Sequence, residues 1–288
     1  MKLFTRLVAT LLTTALTVLP TLAHTFVDID VPFVTTPDNV TLEILKLADV
    51  GPTDRLLDLG SGDGRIIITA ARRFGARGLG VEIVPDLVAR SQANARAAGV
   101  ADRAEFRVQD LFKTDLSEAS VITMYLLPEV NLQLRPALLA LKPGTRLVSH
   151  DWDMGDWKPD RSMTVDAPDK VIGREKSSRL HLWLVPAQVA GLWCGVGELR
   201  NFSVELTQNY QEIDGALRQQ VGRRLQARRL SGRTVGAALQ AASPSAATEV
   251  AAQLRIELDG ETLRVTSADG DLADLRGMAM RRPADGRC

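Results

Sequence analysis

The chain has 288 residues, 45% of them apolar, which is enough to bury one large core or two modest ones and too apolar for a disordered or collagen-like polypeptide. Lysine plus arginine balances aspartate plus glutamate at 35 each, so no global field favours nucleic acid or an acidic membrane surface. Any partner is chosen locally, and no nucleic-acid partner is expected.

At the N-terminus, Lys2 and Arg6 precede an apolar stretch, Leu7 to Leu22, followed by the small residue Ala23. This is the pattern of a signal peptide, residues 1–23, cut after Ala23, and it predicts a periplasmic or secreted product whose membrane contact is confined to that segment. The stretch is shorter than the roughly 20 residues of a spanning helix, and Pro20 interrupts its end; an uncleaved anchor is the alternative. The mature chain carries Cys194 and Cys288, for which an exported compartment permits a disulfide, while two free thiols fit the sequence as well. Cleavage leaves His24 at the terminus, but no second histidine or cysteine stands at ligand spacing and His150 and His181 are isolated, so no metal site is expected.

Beyond a start signal at Thr35-Thr36-Pro37-Asp38, a helix is predicted over Asn39–Ala48. Short β-rich runs then alternate with helical patterns: strands at Arg55–Leu59, Gly78–Ile83, Ala104–Val108, Val121–Leu126 and Arg146–His150, helices at Arg65–Phe74, Pro85–Ala98 and Leu132–Leu141. This order predicts an α/β, doubly wound (Rossmann-like) domain, residues 24–186, with a parallel sheet covered on both faces. Val171-Ile172 and Leu180–Val185 are expected to close it as an antiparallel hairpin.

After Pro186 the texture changes. Phe202–Leu206 and Leu254–Leu258 alternate apolar and polar residues, and Asp214-Gly215, Ser231-Gly232, Asp259-Gly260 and Asp269-Gly270 read as turns. Residues 187–288 are predicted to form a small antiparallel β-rich domain, a curled sheet or partial barrel. Ala237–Ala252, rich in alanine and serine, is expected to be a loop or weak helix, and Arg223-Arg224 with Arg228-Arg229 a solvated strand face.

The chemistry is concentrated in Asp58-Leu59-Gly60-Ser61-Gly62-Asp63-Gly64. A strand that ends in an acid and opens through three glycines into a helix places a ligand at the carboxyl edge of the sheet. A dinucleotide fingerprint requires a small residue where Arg65 stands, and Asp58 would repel a pyrophosphate, so a nicotinamide oxidoreductase is disfavoured. Glu82, at the end of the second strand, is placed for a ribose diol, and Asp110 with Leu111, at the end of the third, for an adenine. Acids at three successive strand ends suit an amino group, a diol and an exocyclic amine. S-adenosyl-L-methionine is the ligand that carries all three, with Thr35 and Thr36 closing over its methionine end.

These residues resemble the cofactor motifs of class I S-adenosylmethionine-dependent methyltransferases. The stretches "PFVTTPDNV" and "TMYLLPEVNLQLRPAL" are similar to the FAM173-type seven-β-strand protein-lysine methyltransferases. That resemblance implies a seven-stranded methyltransferase sheet and methylation of a protein lysine. The export signal and β-rich tail depart from that group's mitochondrial membrane setting, and a small-molecule acceptor, or an exported nucleoside-binding module without turnover, are the competing functions. Sulfonium methyl transfer leaves a neutral leaving group, so alignment carries most of the catalysis. A lysine acceptor must first lose a proton, at a cost of about 4.6 kcal/mol at pH 7. Tyr125 and Asp151, following the fourth and fifth strands, are the candidate catalytic residues; Trp152 and Trp157 are expected to wall the acceptor channel and Glu129 to begin a helix.

Overall fold

The structure is a computed structural model that describes residues 33–244 and 250–288. The expected signal peptide, His24 and the cleavage point lie outside the described residues. Those described belong to one compact unit spanning Val31–Cys288.

The first layer is a seven-stranded sheet in the order β3-β2-β1-β4-β5-β7-β6. Strands β1 (Arg55–Leu59), β2 (Arg77–Glu82), β3 (Ala104–Val108), β4 (Val121–Met124) and β5 (Arg146–His150) run parallel. The order reverses between β1 and β4, so the crevice at their carboxyl ends is the place where such a fold binds ligands. β6 (Arg161–Asp166) and β7 (Ser177–Leu184) close the sheet antiparallel. The closing hairpin was expected, but Val171-Ile172 belongs to its connecting loop. The first hairpin strand is the alternating, half-exposed run Arg161–Asp166, whose four polar residues hide its strand pattern.

Helix α1 (Asp38–Leu47) follows Pro37, whose carbonyl accepts from the Thr41 amide. Helix α2 (Arg65–Thr69) starts on Gly64 in the left-handed region and passes into a π-helical turn, Ala70–Phe74, that stops at Gly75. Helix α3 (Pro85–Ala97) has proline at its first position. Val40, Ile44, Ile66, Ile67, Val88 and Ala95 pack these helices on Leu56, Phe106, Val121 and Val148 of the sheet. Helix α4 (Pro128–Leu139) starts one turn before the expected Leu132, because Pro128 supplies a first-turn residue and Glu129 an acid there. It takes the opposite face, where Asn131 donates to Ser149 at 3.2 Å. That face is covered only in part: residues 109–120 between β3 and β4 contain a 3-10 turn, Leu111–Lys113, in place of a crossover helix, which leaves Arg77, Glu105 and Arg107 exposed. The expectation of two covered faces holds for the centre of the sheet and fails at its β3 edge.

The second layer is a closed antiparallel barrel in the order β10-β11-β12-β13-β14-β15-β8-β9. Its strands are β8 (Gly191–Gly195), β9 (Phe202–Asn209), β10 (Glu212–Val221), β11 (Arg224–Val235), β12 (Ala238–Ser243), β13 (Ala252–Asp259), β14 (Thr262–Ala268) and β15 (Ala279–Arg281). Trp193, Val204, Leu206, Ile213, Leu217, Leu230, Ile256 and Leu263 fill it. Closure explains three departures from expectation. Asp214-Gly215 and Ser231-Gly232 are inside strands rather than turns. A Cβ on Gly215 would stand 2.1 Å from the Glu205 carbonyl oxygen, and one on Gly232 2.0 Å from that of Gln240, so both glycines mark places where the neighbouring backbone comes too close for a side chain. Ala238–Ser243, expected to be loop or weak helix, is a strand because β11 and β13 pair with it on both sides. Arg223 sits in the β10–β11 turn, while Arg228 and Arg229 pair with Asp271 and Asp214 across the barrel surface. Cys194 on β8 and Cys288, the last residue, form a disulfide with Cα atoms 5.4 Å apart, which resolves the question the sequence leaves open.

Candidate functional site

The tip of β1 bends through Gly60, Gly62 and Gly64, with φ of 76°, 53° and 83°. In this left-handed region a side chain is strained, and two of the three also lack space for one. A Cβ on Gly62 would meet the Phe33 ring at 2.3 Å, and one on Gly64 the Phe106 ring at 2.6 Å. The Gly60 and Ser61 amides both donate to the Val81 carbonyl at 3.0 Å, which ties the bend to β2. Ser61 turns its buried side chain over Gly80, where its hydroxyl has no hydrogen-bond partner among the described residues. Asp63 caps the start of α2, accepting from the Arg65 amide and guanidinium. The same guanidinium donates to the Thr36 carbonyl at 2.7 Å and so draws the segment before α1 down onto the bend.

Three acids stand at three strand ends. Asp58 is 3% exposed and takes the Thr123 hydroxyl of β4 at 2.7 Å. Burial pushes its carboxyl up to about 7; the Thr123 bond offsets this in part, and the neighbouring charges of Asp63 and Glu82 add to it. Glu82 holds both oxygens at the tip of β2 with the amides of Gly62, Ile83 and Val84, at 2.8 to 3.1 Å. Asp110 accepts from the Phe112 amide at 2.9 Å and pairs with Lys113 at 3.1 Å, which sets half-buried Leu111 beside it.

The ends of β4 and β5 carry a second cluster. Tyr125 donates to Asp151 Oδ2 at 3.1 Å and lies on the His150 ring, centroids 3.9 Å apart. His150 is fully buried between the Thr36 hydroxyl at 3.2 Å and the Ser178 hydroxyl at 2.8 Å. Burial holds its imidazole well below the usual histidine range, so it is neutral at pH 7. Asp151 has φ 65°, which aspartate tolerates better than most residues, and exchanges hydrogen bonds with the Arg179 backbone. Its Oδ2 also holds the Lys170 ammonium at 2.8 Å. Burial alone would raise the Asp151 carboxyl, but the Lys170 bond and the His150 and Arg179 contacts keep it below the ordinary value, whereas burial and Asp151 raise the Tyr125 phenol.

Sequence reasoning names Tyr125 and Asp151 and misses His150 and Lys170, which contact them. His150 and Lys170 join the site only through the β5–β7 pairing and the β6–β7 loop, and nothing local marks them. Trp152 is 44% exposed beside the site, whereas Trp157 is fully buried against Trp183 and Tyr210. It packs between sheet and barrel and walls no channel.

The residues present fit S-adenosylmethionine. Asp58 is a buried carboxyl driven toward protonation, with Thr123 as its hydrogen-bond partner among the described residues, and a cationic ligand relieves that cost. Residues 58–161 match the model of the ANTKMT methyltransferase domain. The chain is 44% identical over 138 residues to a protein-lysine N-methyltransferase of Saccharolobus islandicus, covering 47% of this chain and 86% of that protein. It is 33% identical over 133 residues to the adenine nucleotide translocase lysine N-methyltransferase of Mus musculus, covering 46% of this chain and 57% of that relative. An RNA methyltransferase from Salinibacter ruber, solved with S-adenosyl-L-homocysteine, is 54% identical, covering 54% of this chain and 96% of that one with a TM-score of 0.49. The chain belongs to the family of these lysine N-methyltransferases and is an S-adenosylmethionine-dependent methyltransferase.

Proposed function

We propose that the chain N-methylates a lysine of a protein acceptor, in an exported compartment, with residues 24–186 as the catalytic domain and 187–288 as its accessory. The observation that carries the lysine reading is that Asp151, beside Tyr125 at the strand ends, already holds a lysine ammonium, that of Lys170, at 2.8 Å. In exchange for Lys170, the same carboxylate draws an incoming lysine to the strand ends, and that lysine releases its proton to solvent before its neutral amine takes the methyl group. When bound, the donor supplies an electrophilic methyl and a neutral leaving group. The chain's own residues do the rest. Asp58 and Glu82, with the bend Gly60–Gly64, hold the donor's amino acid and ribose ends; Asp110 and Leu111 border its adenine, and Thr36 closes over it. Asp151 and the Tyr125 hydroxyl orient the acceptor nitrogen, and buried neutral His150 fixes the Tyr125 ring. The disulfide between Cys194 and Cys288 and the basic-then-apolar start of the chain support export, periplasmic or secreted.

The test is transfer of a labelled methyl group to a cell extract, comparing the wild type with Asp58→Ala. Label on protein lysines, lost in the variant, is the expected result. Label only in small molecules or RNA overturns the acceptor, and donor binding without transfer points to a nucleoside-binding module. Mass analysis of the mature N-terminus tests export, with a chain that begins at His24 as the expected product.

A further inference from the structure

The segment 151–160 leaves β5 at the site and reaches β6 after crossing between the sheet and the barrel. Its first residues, Asp151 and exposed Trp152, face the ligand edge. The segment is held from both sides, its near half by α4 and its far half by the barrel. From α4, Asn131 reaches the Trp152 and Asp153 carbonyls at 3.4 and 3.3 Å, and Arg135 donates to the Met154 carbonyl at 2.8 Å. From the barrel, the β9–β10 turn presents Tyr210. Its ring stacks on Trp157 with centroids 6.0 Å apart and planes 16° apart, and its hydroxyl donates to Asp156 at 3.0 Å. Gln211 donates to the Lys158 carbonyl at 2.7 Å, and Arg233 of β11 pairs with Asp160. Tyr210 has φ 54°, a left-handed conformation that an aromatic residue rarely adopts. A loop that carries site residues and lacks regular structure is ordinarily among the most mobile parts of a fold. This one is held by Asn131 and Arg135 of α4 and, over its far half, by the three barrel side chains Tyr210, Gln211 and Arg233.

We infer that the barrel acts as a brace for the acceptor side of the site, with Tyr210 and Arg233 as positioning residues that hold Asp151 and Trp152 in register with the donor. The inference rests on the reading of Asp151 as an acceptor-side residue. Methyl transfer from a sulfonium depends above all on alignment, and a displacement of about 1 Å at the reacting atoms can cost up to about 100-fold, so a brace remote from the chemistry acts through the turnover number. It also explains a barrel fused to a domain that already carries its own donor pocket.

The experiment uses the full mature chain with Tyr210→Ala and Tyr210→Phe. It measures amide hydrogen exchange over 151–160, calorimetric affinity for S-adenosylhomocysteine, and methyl transfer to heat-denatured host-cell protein. In Tyr210→Ala, exchange over 151–160 rises at least about tenfold and transfer falls about tenfold, mostly in kcat, while affinity for S-adenosylhomocysteine stays within about twofold. Tyr210→Phe keeps the ring on Trp157 and recovers most of both effects. Unchanged exchange and transfer in Tyr210→Ala overturn the inference, as does a parallel loss of donor affinity, which marks general unfolding. If the wild type transfers no methyl to lysine, the acceptor reading fails instead, and the exchange measurement still decides whether the barrel braces the loop.

Discussion

The sheet and the barrel are both β layers of similar size, yet they use glycine and aspartate for opposite purposes. At the tip of β1, glycines with positive φ open a bend, and the acid before it lies buried with its carboxyl raised. In the barrel, Gly215 and Gly232 lie inside strands where a neighbouring carbonyl would meet a Cβ at about 2 Å, and the adjoining Asp214 pairs with Arg229 at the surface. One layer leaves its strand ends free to bind; the other joins its edges and leaves none. The lesson is that Asp-Gly carries meaning only with the element around it.

One substitution in each layer separates the two roles. Gly232→Val forces a methyl group into the Gln240 backbone and is expected to destabilise the barrel by about 4 kcal/mol or more, seen as a large fall in the thermal midpoint. Asp58→Ala removes the buried carboxyl and is expected to weaken donor affinity on the order of 100-fold, about 3 kcal/mol, with the barrel's thermal transition unmoved. Reducing the disulfide frees a loop of 94 residues and is expected to lower barrel stability by about 2 kcal/mol or more. Melting with and without reductant checks this.

The raised Asp58 carboxyl makes a smaller, signed prediction. A cationic donor needs it ionised, so donor affinity falls as pH drops below about 7, by about tenfold per unit, and is flat in Asp58→Asn. The sign for the donor-free fold is opposite. The native state keeps the proton that the unfolded chain releases from 3.8 upward, so the contribution of this group to stability is lost as pH rises toward about 7. Calorimetric and thermal titrations from pH 5.5 to 8.5 read both slopes. The smallest effect belongs to Tyr125→Phe, which removes the bond to Asp151 and is expected to lower kcat several-fold with donor affinity unchanged.

The parallel strands were legible because their apolar runs end at marked turns; the predicted β1, β3 and β5 coincide with the strands found. The placement of Asp58, Glu82 and Asp110 was legible because they sit at the ends of those same strands. Closure of the barrel was not. It depends on pairing between residues far apart, such as Met280 with Gly195, and a glycine inside a strand looks the same as one in a turn. His150 and Lys170 escaped for the same reason. A buried imidazole held by Thr36 and Ser178, and a lysine folded back from the β6–β7 loop, acquire their roles only from contacts that the topology makes. Trp157 shows the converse: its sequence position near Trp152 suggests a shared wall, and the fold buries it against Trp183 and Tyr210 while Trp152 stays exposed.

The proposed function requires that Asp58 and Glu82, at the tips of β1 and β2, form a pocket for a positively charged adenosyl compound. Calorimetric titration of the purified chain with S-adenosylmethionine, and separately with a nicotinamide dinucleotide, tests this most directly. One site for S-adenosylmethionine, lost in Asp58→Ala, with no heat from the dinucleotide, is the predicted result. Saturable binding of the dinucleotide with none of S-adenosylmethionine at millimolar concentration would contradict it.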